Sequence, residues 1–348
     1  MIGAEQIARA IDQVEMPDRL VFVGGSLLCR GSGGRGSFGF RHAQGVARSA
    51  PRREVGAVIG SGMAVLLSEN FRALFYAPLY AAMVTGAFER AGVEVELRPS
   101  PDPASAGKAL RAREVDVMWG GPLRVMMLRN AEPSADLVCF CDVVARDPFF
   151  VVGARPRPNF TLPDLLSVKL ATVSEVPTPW ICLQDDLRRA GLDPARVDRI
   201  TDGTMGENEM ALREGRVDAV QLFQPYAEQL VSSGAGYVWY AAANRGLTAY
   251  TTLVTRRDVL AERADELVRM IRGVAETLKW FDEAPAFDIA GKLQSYFPDV
   301  PVPLFAACID RYRALHLWGA RSGDRPRGLR SPACGHALGR RPLARHSV

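Results

Sequence analysis

Ser68-Glu69-Asn70-Phe71-Arg72-Ala73-Leu74-Phe75-Tyr76-Ala77-Pro78-Leu79-Tyr80-Ala81-Ala82-Met83-Val84-Thr85-Gly86-Ala87-Phe88-Glu89-Arg90-Ala91-Gly92-Val93-Glu94-Val95-Glu96-Leu97-Arg98-Pro99-Ser100 decides the fold class of this chain. It reads as the end of a strand, a polar loop, a helix, and a second strand of alternating character. Pro78 opens the helix and Gly92 closes it, the usual punctuation of a helix. Tyr80, Met83, Val84, Ala87 and Phe88 recur at helical spacing, which predicts one apolar face. The unit sets a partly aromatic loop at a helix N-terminus, where backbone N–H groups are free to meet a ligand.

The same order returns about a hundred residues later, which is evidence of a repeat rather than of one local motif. After Gly92 come the strand Val93–Leu97, a helical run near Pro103–Arg113, the strand Val115–Trp119 and then Gly120-Gly121-Pro122. In the second half, Lys169–Ser174 reads as a strand, Pro179–Ala190 as a helix ended by Gly191, and Val197–Ile200 as a strand. Met205–Glu214 then reads as a helix and Val217–Phe223 as a strand. Ala109-Leu110-Arg111 with Val115-Asp116 parallels Ala211-Leu212-Arg213 with Val217-Asp218 at identical spacing. Ser68-Glu69 and Ser174-Glu175 both close a first strand, and Pro122 and Pro225 both follow a third. Two similar β-α-β halves predict an α/β fold with parallel sheets and right-handed crossovers.

Composition is that of an ordinary globular chain: 348 residues, 48% hydrophobic and 24% charged, enough for two domains. No run of eighteen apolar residues occurs, so no membrane-spanning helix is indicated. The formal net charge of +4 is misleading, because residues 1–62 and 320–348 hold 15 of the 43 basic and 6 of the 39 acidic side chains. The remainder, residues 63–319, is net acidic, and nucleic-acid binding is not inferred from the total. Both ends lack helical or strand periodicity. They read as atypical segments, disordered or artefactual, with Met63 a natural start and Gly319 a point where a reading frame is lost. Ala4–Val14 contains Glu5, Arg9 and Asp12, which no export h-region carries.

Most familiar chemistries are missing. Gly31-Ser32-Gly33-Gly34-Arg35-Gly36 matches the dinucleotide fingerprint, but no amphipathic helix follows to receive a pyrophosphate. No Gly-Lys-Ser/Thr occurs, which excludes a P-loop. Of four histidines only His316 lies in the core region, and nothing marks a nucleophile elbow. The six cysteines show no metal spacing. Cys139 and Cys141 lie in the apolar run Leu137–Val144, where alternation puts both thiols on one face as buried free cysteines. No catalytic residue, metal or cofactor is therefore assigned.

Ligands of open α/β sheets bind beyond the carboxyl ends of strands. By that rule the first half contributes Glu69, Asn70, Phe71 and Arg72, then Trp119, Gly120 and Gly121. The second contributes Glu175, Pro177 and Thr178, then Gln224 and Tyr226, and Tyr250 follows later. Glu69 and Glu175 could equally cap the following helices. Trp119 and Tyr226 could equally be core aromatics. The bare backbone of Gly120-Gly121 lets a ligand approach closely.

Tyr80-Ala81-Ala82…Gly86-Ala87-Phe88-Glu89-Arg90-Ala91-Gly92-Val93-Glu94-Val95 and the later Gln224-Pro225-Tyr226 carry a resemblance. The chain resembles the type II solute-binding proteins of ABC importers, in the branch that takes nitrate, sulfonates, taurine and thiamine-type pyrimidines (NMT1/SsuA-like). The resemblance spans about Ala64 to Trp318. Gln224 stands where relatives carry Glu, and Phe75-Tyr76 where many carry histidine. It implies two Rossmann-like lobes with parallel-dominated sheets around a cleft, the periplasmic-binding-protein-like type II architecture. Lobe one would comprise residues 63–147 plus 248–319, and lobe two 148–247. Two crossovers, Asp147–Val152 and Tyr240–Tyr250, would act as a hinge, and the helical run Asp258–Glu283 would pack on lobe one.

The resemblance further implies a monomer that delivers a small-molecule ligand to an ABC permease in the membrane, with no cofactor and no nucleic-acid partner. It implies the periplasm, whereas the chain as given shows no signal peptide and would stay cytoplasmic. Nitrate or a sulfonate wants several cationic donors, and the candidate ring holds Arg72 alone beside Glu69 and Glu175. Carboxylates, amides and aromatic faces suit a nitrogen heterocycle better, so a pyrimidine-like thiamine precursor is the favoured solute. Two alternatives remain. One is the hydroxymethylpyrimidine-synthase-like enzyme of thiamine biosynthesis, which relies on histidine and a Cys-rich motif that residues 244–258 lack. The other is a stand-alone small-molecule sensor domain like the LysR effector domain, whose helix-turn-helix residues 1–62 do not supply.

Overall fold

Short apolar strands alternate with helices along the chain, and the computed structural model assembles them into two five-stranded sheets. It describes residues 63–132 and 134–318. The Gly31–Gly36 motif, both basic ends, Cys29, Cys334 and three of the histidines lie outside the described residues. The first half runs β1 (Val65–Ser68), α1 (Ala77–Val84), α2 (Ala87–Arg90), β2 (Val95–Arg98), α3 (Pro103–Arg111), β3 (Val117–Gly120), α4 (Pro122–Ala131) and β4 (Leu137–Val144). The second runs β5 (Phe150–Gly153), β6 (Lys169–Ala171), α5 (Thr178–Arg189), β7 (Asp198–Ile200), α6 (Met205–Arg213), β8 (Ala219–Leu222), α7 (Tyr226–Ser232) and β9 (Tyr237–Ala241). After it come β10 (Thr251–Arg256), α8 (Arg257–Glu262), α9 (Ala264–Glu283), α10 (Ala286–Leu293) and α11 (Val302–Ala314).

The strand orders are β2-β1-β3-β10-β4 and β7-β6-β8-β5-β9. In each sheet four strands run one way, and the fourth position is filled by an antiparallel strand from across a crossover, β10 in one and β5 in the other. The two sheets are therefore copies of one plan, as the repeat in the letters predicts. The repeated Val-Asp has a structural purpose. Asp116 Oδ2 accepts from the Leu66 N–H at 3.0 Å, and Asp218 Oδ2 accepts from the Lys169 N–H at 2.8 Å, so each carboxylate ties a third strand to a first. Each preceding helix turns out through a left-handed residue, Arg113 at φ 66° and Gly215 at φ 70°.

Both sheets are covered on both faces, which suits their near-continuous apolar strands. Beneath α3 and α4 lie Leu110, Met118, Val125 and Val254. Beneath α5 lie Val151, Leu170, Leu183 and Leu187. The other faces share one continuous core that runs from Leu67, Trp119 and Leu253 to Val152, Val220 and Leu230.

Four expectations need correction. The helix predicted from Pro78 to Gly92 is broken at Gly86, whose φ of 71° leaves the right-handed region and starts α2. Val84 ends α1 and is exposed rather than part of the buried face. The run Asp258–Glu283 is likewise two helices, parted at Arg263, whose guanidinium bonds Asp116, Glu266 and the Met63 carbonyl. Cys139 and Cys141 do not share a face. The register against β10 shifts between Leu253 and Val254, and this bulge sends Cys141 into the large core and Cys139 to the α3–α4 side.

Candidate functional site

Parallel strands end at the same edge of a sheet where an antiparallel neighbour begins. The loops after β1, β3, β6 and β8 are therefore joined there by the residues that enter β10 and β5. Tyr250 enters β10 and Phe149 enters β5, two equivalent positions. Around them the structure gathers rings from both halves. Phe223, just past β8, lies 5.2 Å from Phe149, 5.1 Å from Phe75 and 6.4 Å from Phe71, the last with planes only 28° apart. Tyr250 meets Phe75 at 6.1 Å and Phe149 at 6.4 Å. Phe71 also meets Tyr76 at 5.4 Å, and Tyr76 meets Trp119 at 5.5 Å. On the far side Phe223 meets Tyr226 at 6.3 Å.

Polar groups punctuate this wall. Asn70 Oδ1 and Trp119 Nε1 are buried without a hydrogen-bond partner, a costly condition for groups removed from water. Asn70 and Thr251 both flank the Tyr76 hydroxyl. Burial pushes that hydroxyl up to about 12, while hydrogen bonding to Asn70 and Thr251 and the nearby Arg124 charge pull the other way. Tyr226 is raised too, by burial first and then by the charges of Glu175 and Glu209.

Several sequence candidates prove to be engaged inside the protein. Glu69 is buried and takes Arg72 in a fork, with Nε–Oε1 at 3.0 Å and Nη2–Oε2 at 2.9 Å, plus the Tyr80 hydroxyl at 2.5 Å. Arg72 lies over the Tyr80 and Tyr296 rings, and the Glu69 carboxylate holds its guanidinium above the ordinary arginine range. Glu69 therefore does not cap the following helix. Glu175 caps a helix, but not the next one: its Oε1 accepts from Met205 N–H at 3.2 Å, at the start of α6. Gln224 is fully buried, with Oε1 accepting from the Glu228 N–H and its own N–H donating to Tyr312 Oη. Trp119 is a core ring with 0% exposure. A Cβ on Gly121 would lie 3.2 Å from the Tyr250 carbonyl, so that glycine first of all admits a neighbouring backbone. Pro177 and Thr178 open α5, Pro177 exposed and Thr178 half-buried.

The rings of Phe75, Tyr76, Phe149 and Phe223, and the side chains of Arg124 and Thr251, were not among the sequence candidates. Phe149 carries a usable signal, since it stands at the same position relative to its strand as Tyr250. Phe223 stands one residue before Gln224 and reads as the last apolar letter of a strand.

A fold of two duplicated sheets with exchanged antiparallel strands, and a ring-lined edge between them, fits the match to the model of the NMT1-like family over residues 71–293. The chain belongs to the NMT1-like family. It is 22% identical over 256 residues to "Putative binding protein YtlA" of Bacillus subtilis (strain 168), covering 73% of this chain and 77% of that protein. Among solved structures it is similar to the periplasmic aliphatic sulphonate binding protein SsuA from Escherichia coli. There the TM-score is 0.61 and the identity 18%, over 72% of this chain and 84% of that one. The alkanesulfonate-binding SsuA from Xanthomonas axonopodis pv. citri gives a TM-score of 0.55 at 14% identity, over 74% and 94% of the two chains. The resemblance drawn from Tyr80–Val95 is thus borne out at the level of family and fold.

Proposed function

We propose that this protein is the solute-binding component of an ABC-type importer, which closes two lobes around a small, flat, nitrogen-containing ring and hands it to a membrane permease. The lobes are residues 63–147 with 248–319, and 148–247, acting as one monomeric chain. The description of the relatives as binding proteins supports a carrier rather than an enzyme. The observation that carries the ring is the pair Phe71 and Phe223, one from each half, facing each other at 6.4 Å and 28°. Aromatic carbons meet at roughly 3.5–4 Å, so a ring sandwiched between two others needs roughly 7–8 Å. A small opening of the lobes supplies that.

Asn70 stands at the edge of this slot with an unanswered Oδ1. A carboxamide offers an acceptor beside a donor, the complement of an amino group next to a ring nitrogen. This favours a pyrimidine-like thiamine precursor. Phe71, Asn70, Tyr226 and Tyr250 would touch the solute. Glu69, Arg72 and Gln224 would hold the loops, and Trp119, Gly120, Gly121, Glu175, Pro177 and Thr178 would frame the slot.

Titration of 4-amino-5-hydroxymethyl-2-methylpyrimidine in a thermal melt tests the reading. Binding to the native state alone raises Tm with concentration, and mass spectrometry of the recovered solute shows it unchanged. Phe223→Ala weakens binding about tenfold or more, since stacking on an aromatic contributes roughly 1–3 kcal/mol. A solute that comes back chemically altered moves the protein to the enzyme class.

A further inference from the structure

Among the described residues α11 is the last helix, and its end touches both halves of the molecule. It packs on α10 and on the turn Leu74–Tyr76 from one side, and on α7 of the second half from the other. Tyr312 stands where the two meet and is fully buried. Its hydroxyl accepts from the Gln224 N–H at 3.1 Å and donates to the Pro148 carbonyl at 3.3 Å. Its ring stacks on Phe150 at 6.0 Å, with planes 21° apart, and meets Trp318 edge-on at 5.6 Å. Beside it Arg311 forks onto Glu228 of α7, and the Glu228 N–H donates to Gln224 Oε1 at 2.8 Å. Gln224 is thus held at its backbone by Tyr312 and at its side chain by the residue that Arg311 holds.

The segment after α11 grips the first half. Trp318 Nε1 donates to the Phe75 carbonyl at 2.8 Å, and the Leu317 carbonyl accepts from the Ala145 and Arg146 N–H groups at 2.9 and 3.2 Å. Both ends of this grip reach the ring slot. Phe75 is one of its rings, and Gln224 directly follows another, Phe223, which lies 5.1 Å from Phe75. Residues 312–318 therefore hold the backbone at one slot ring and the backbone just past the other. Apolar packing alone would leave each free to slide, whereas a buried hydrogen bond fixes both distance and direction.

Resting on the ring-slot reading above, we infer that Tyr312 is a positioning residue for the solute. Through Gln224 it sets Phe223 against Phe75 and Phe71, while Trp318 anchors the same segment to the first half. The slot therefore stands assembled before a solute arrives. A wall already in place need not be ordered when the solute binds. Were the assembled form only a fraction of the population, the apparent affinity would fall by that fraction.

The test compares Tyr312→Phe, Trp318→Phe and Asp102→Ala with the wild type, each as the full chain at a temperature where it is folded. Tyr312→Phe keeps the ring on Phe150 and removes only the hydroxyl, and Trp318→Phe removes the N–H that holds Phe75. Asp102→Ala strips the N-cap of α3 and is the control for lost stability alone. Calorimetry with 4-amino-5-hydroxymethyl-2-methylpyrimidine should show binding at least about fivefold weaker in Tyr312→Phe, as expected for one lost hydrogen bond, and unchanged in Asp102→Ala. Hydrogen exchange of the unliganded chains should be faster over residues 222–226 in Trp318→Phe, although the lost bond lies in the other half. A melting temperature that falls in Tyr312→Phe with affinity unchanged overturns the inference, by making Tyr312 structural. An equal loss of affinity in Asp102→Ala overturns it too, as does unchanged exchange over 222–226 in Trp318→Phe. If the wild type does not bind the pyrimidine, the ring-slot reading fails, and the exchange over 222–226 still decides whether this segment positions Phe223.

Discussion

Asp142 lies on β4 opposite Thr252, and its Oδ1 is buried with no hydrogen-bond partner. Burial pushes the carboxyl up to about 7. The unfolded chain titrates near the ordinary aspartate value, so between about pH 4 and 7 the folded state holds the extra proton. Stability is then highest at the acid end of that window and falls as pH rises through it. Asp142→Asn keeps the shape and removes the titration. Urea unfolding of both proteins at pH 5 and pH 8 should show the variant gaining on the order of 2–4 kcal/mol at pH 8 and much less at pH 5. A parallel pH dependence in both would mean that Asp142 reaches water. The same scale shows what a sequence cannot say about a site. Asn70 and Tyr250 were legible, because strand ends are legible. Phe223 was not, because the last apolar letter of a strand reads as core until the ring that faces it can be seen. Glu69 and Arg72 looked free because a fork between residues three apart is invisible without the loop that bends them together.

The repeated Val-Asp corner is a device of the element scale. Asp218→Ala should cost about 1 kcal/mol through the lost bond to the Lys169 N–H. Asp116→Ala should cost more, because Asp116 also pairs with Arg263 at 2.8 Å. Equal losses in denaturant titrations would argue that the Arg263 contact contributes nothing. Gly215→Ala forces a Cβ into the left-handed region at φ 70°, in open space, and should cost roughly 1 kcal/mol. The order of strands and helices was legible because each element keeps one period and ends on recognisable punctuation. The breaks at Gly86 and Arg263 and the bulge at Cys139–Cys141 were not. Each is set by a partner distant in sequence or by one residue's local conformation, and periodicity averages over both.

At the scale of the molecule, the two crossovers are held together by buried charge. Arg245 bonds Asp147 at 2.9 Å and forks onto Asp186 of α5, all three side chains being 7% exposed or less. Tyr240 donates to Asp186 at 2.8 Å, and Asp147 also accepts from the Phe149 N–H at 3.0 Å. Arg245→Met strands two carboxylates in a dry interior and should cost roughly 3–5 kcal/mol, measurable by chemical unfolding. A loss below about 1 kcal/mol would mean that water enters the cluster.

The exchange of β5 and β10 between sheets has a consequence for a chain made from one end. Among the described residues every strand of the second sheet lies within 150–241, whereas β4 of the first pairs only with β10, at residues 251–256. At ribosomal speeds of roughly 5–20 residues per second, β4 leaves synthesis about 5–20 s before its neighbour exists. The half encoded second is therefore the first that can be finished, and the half encoded first waits, its apolar edge open, until β10 has been made.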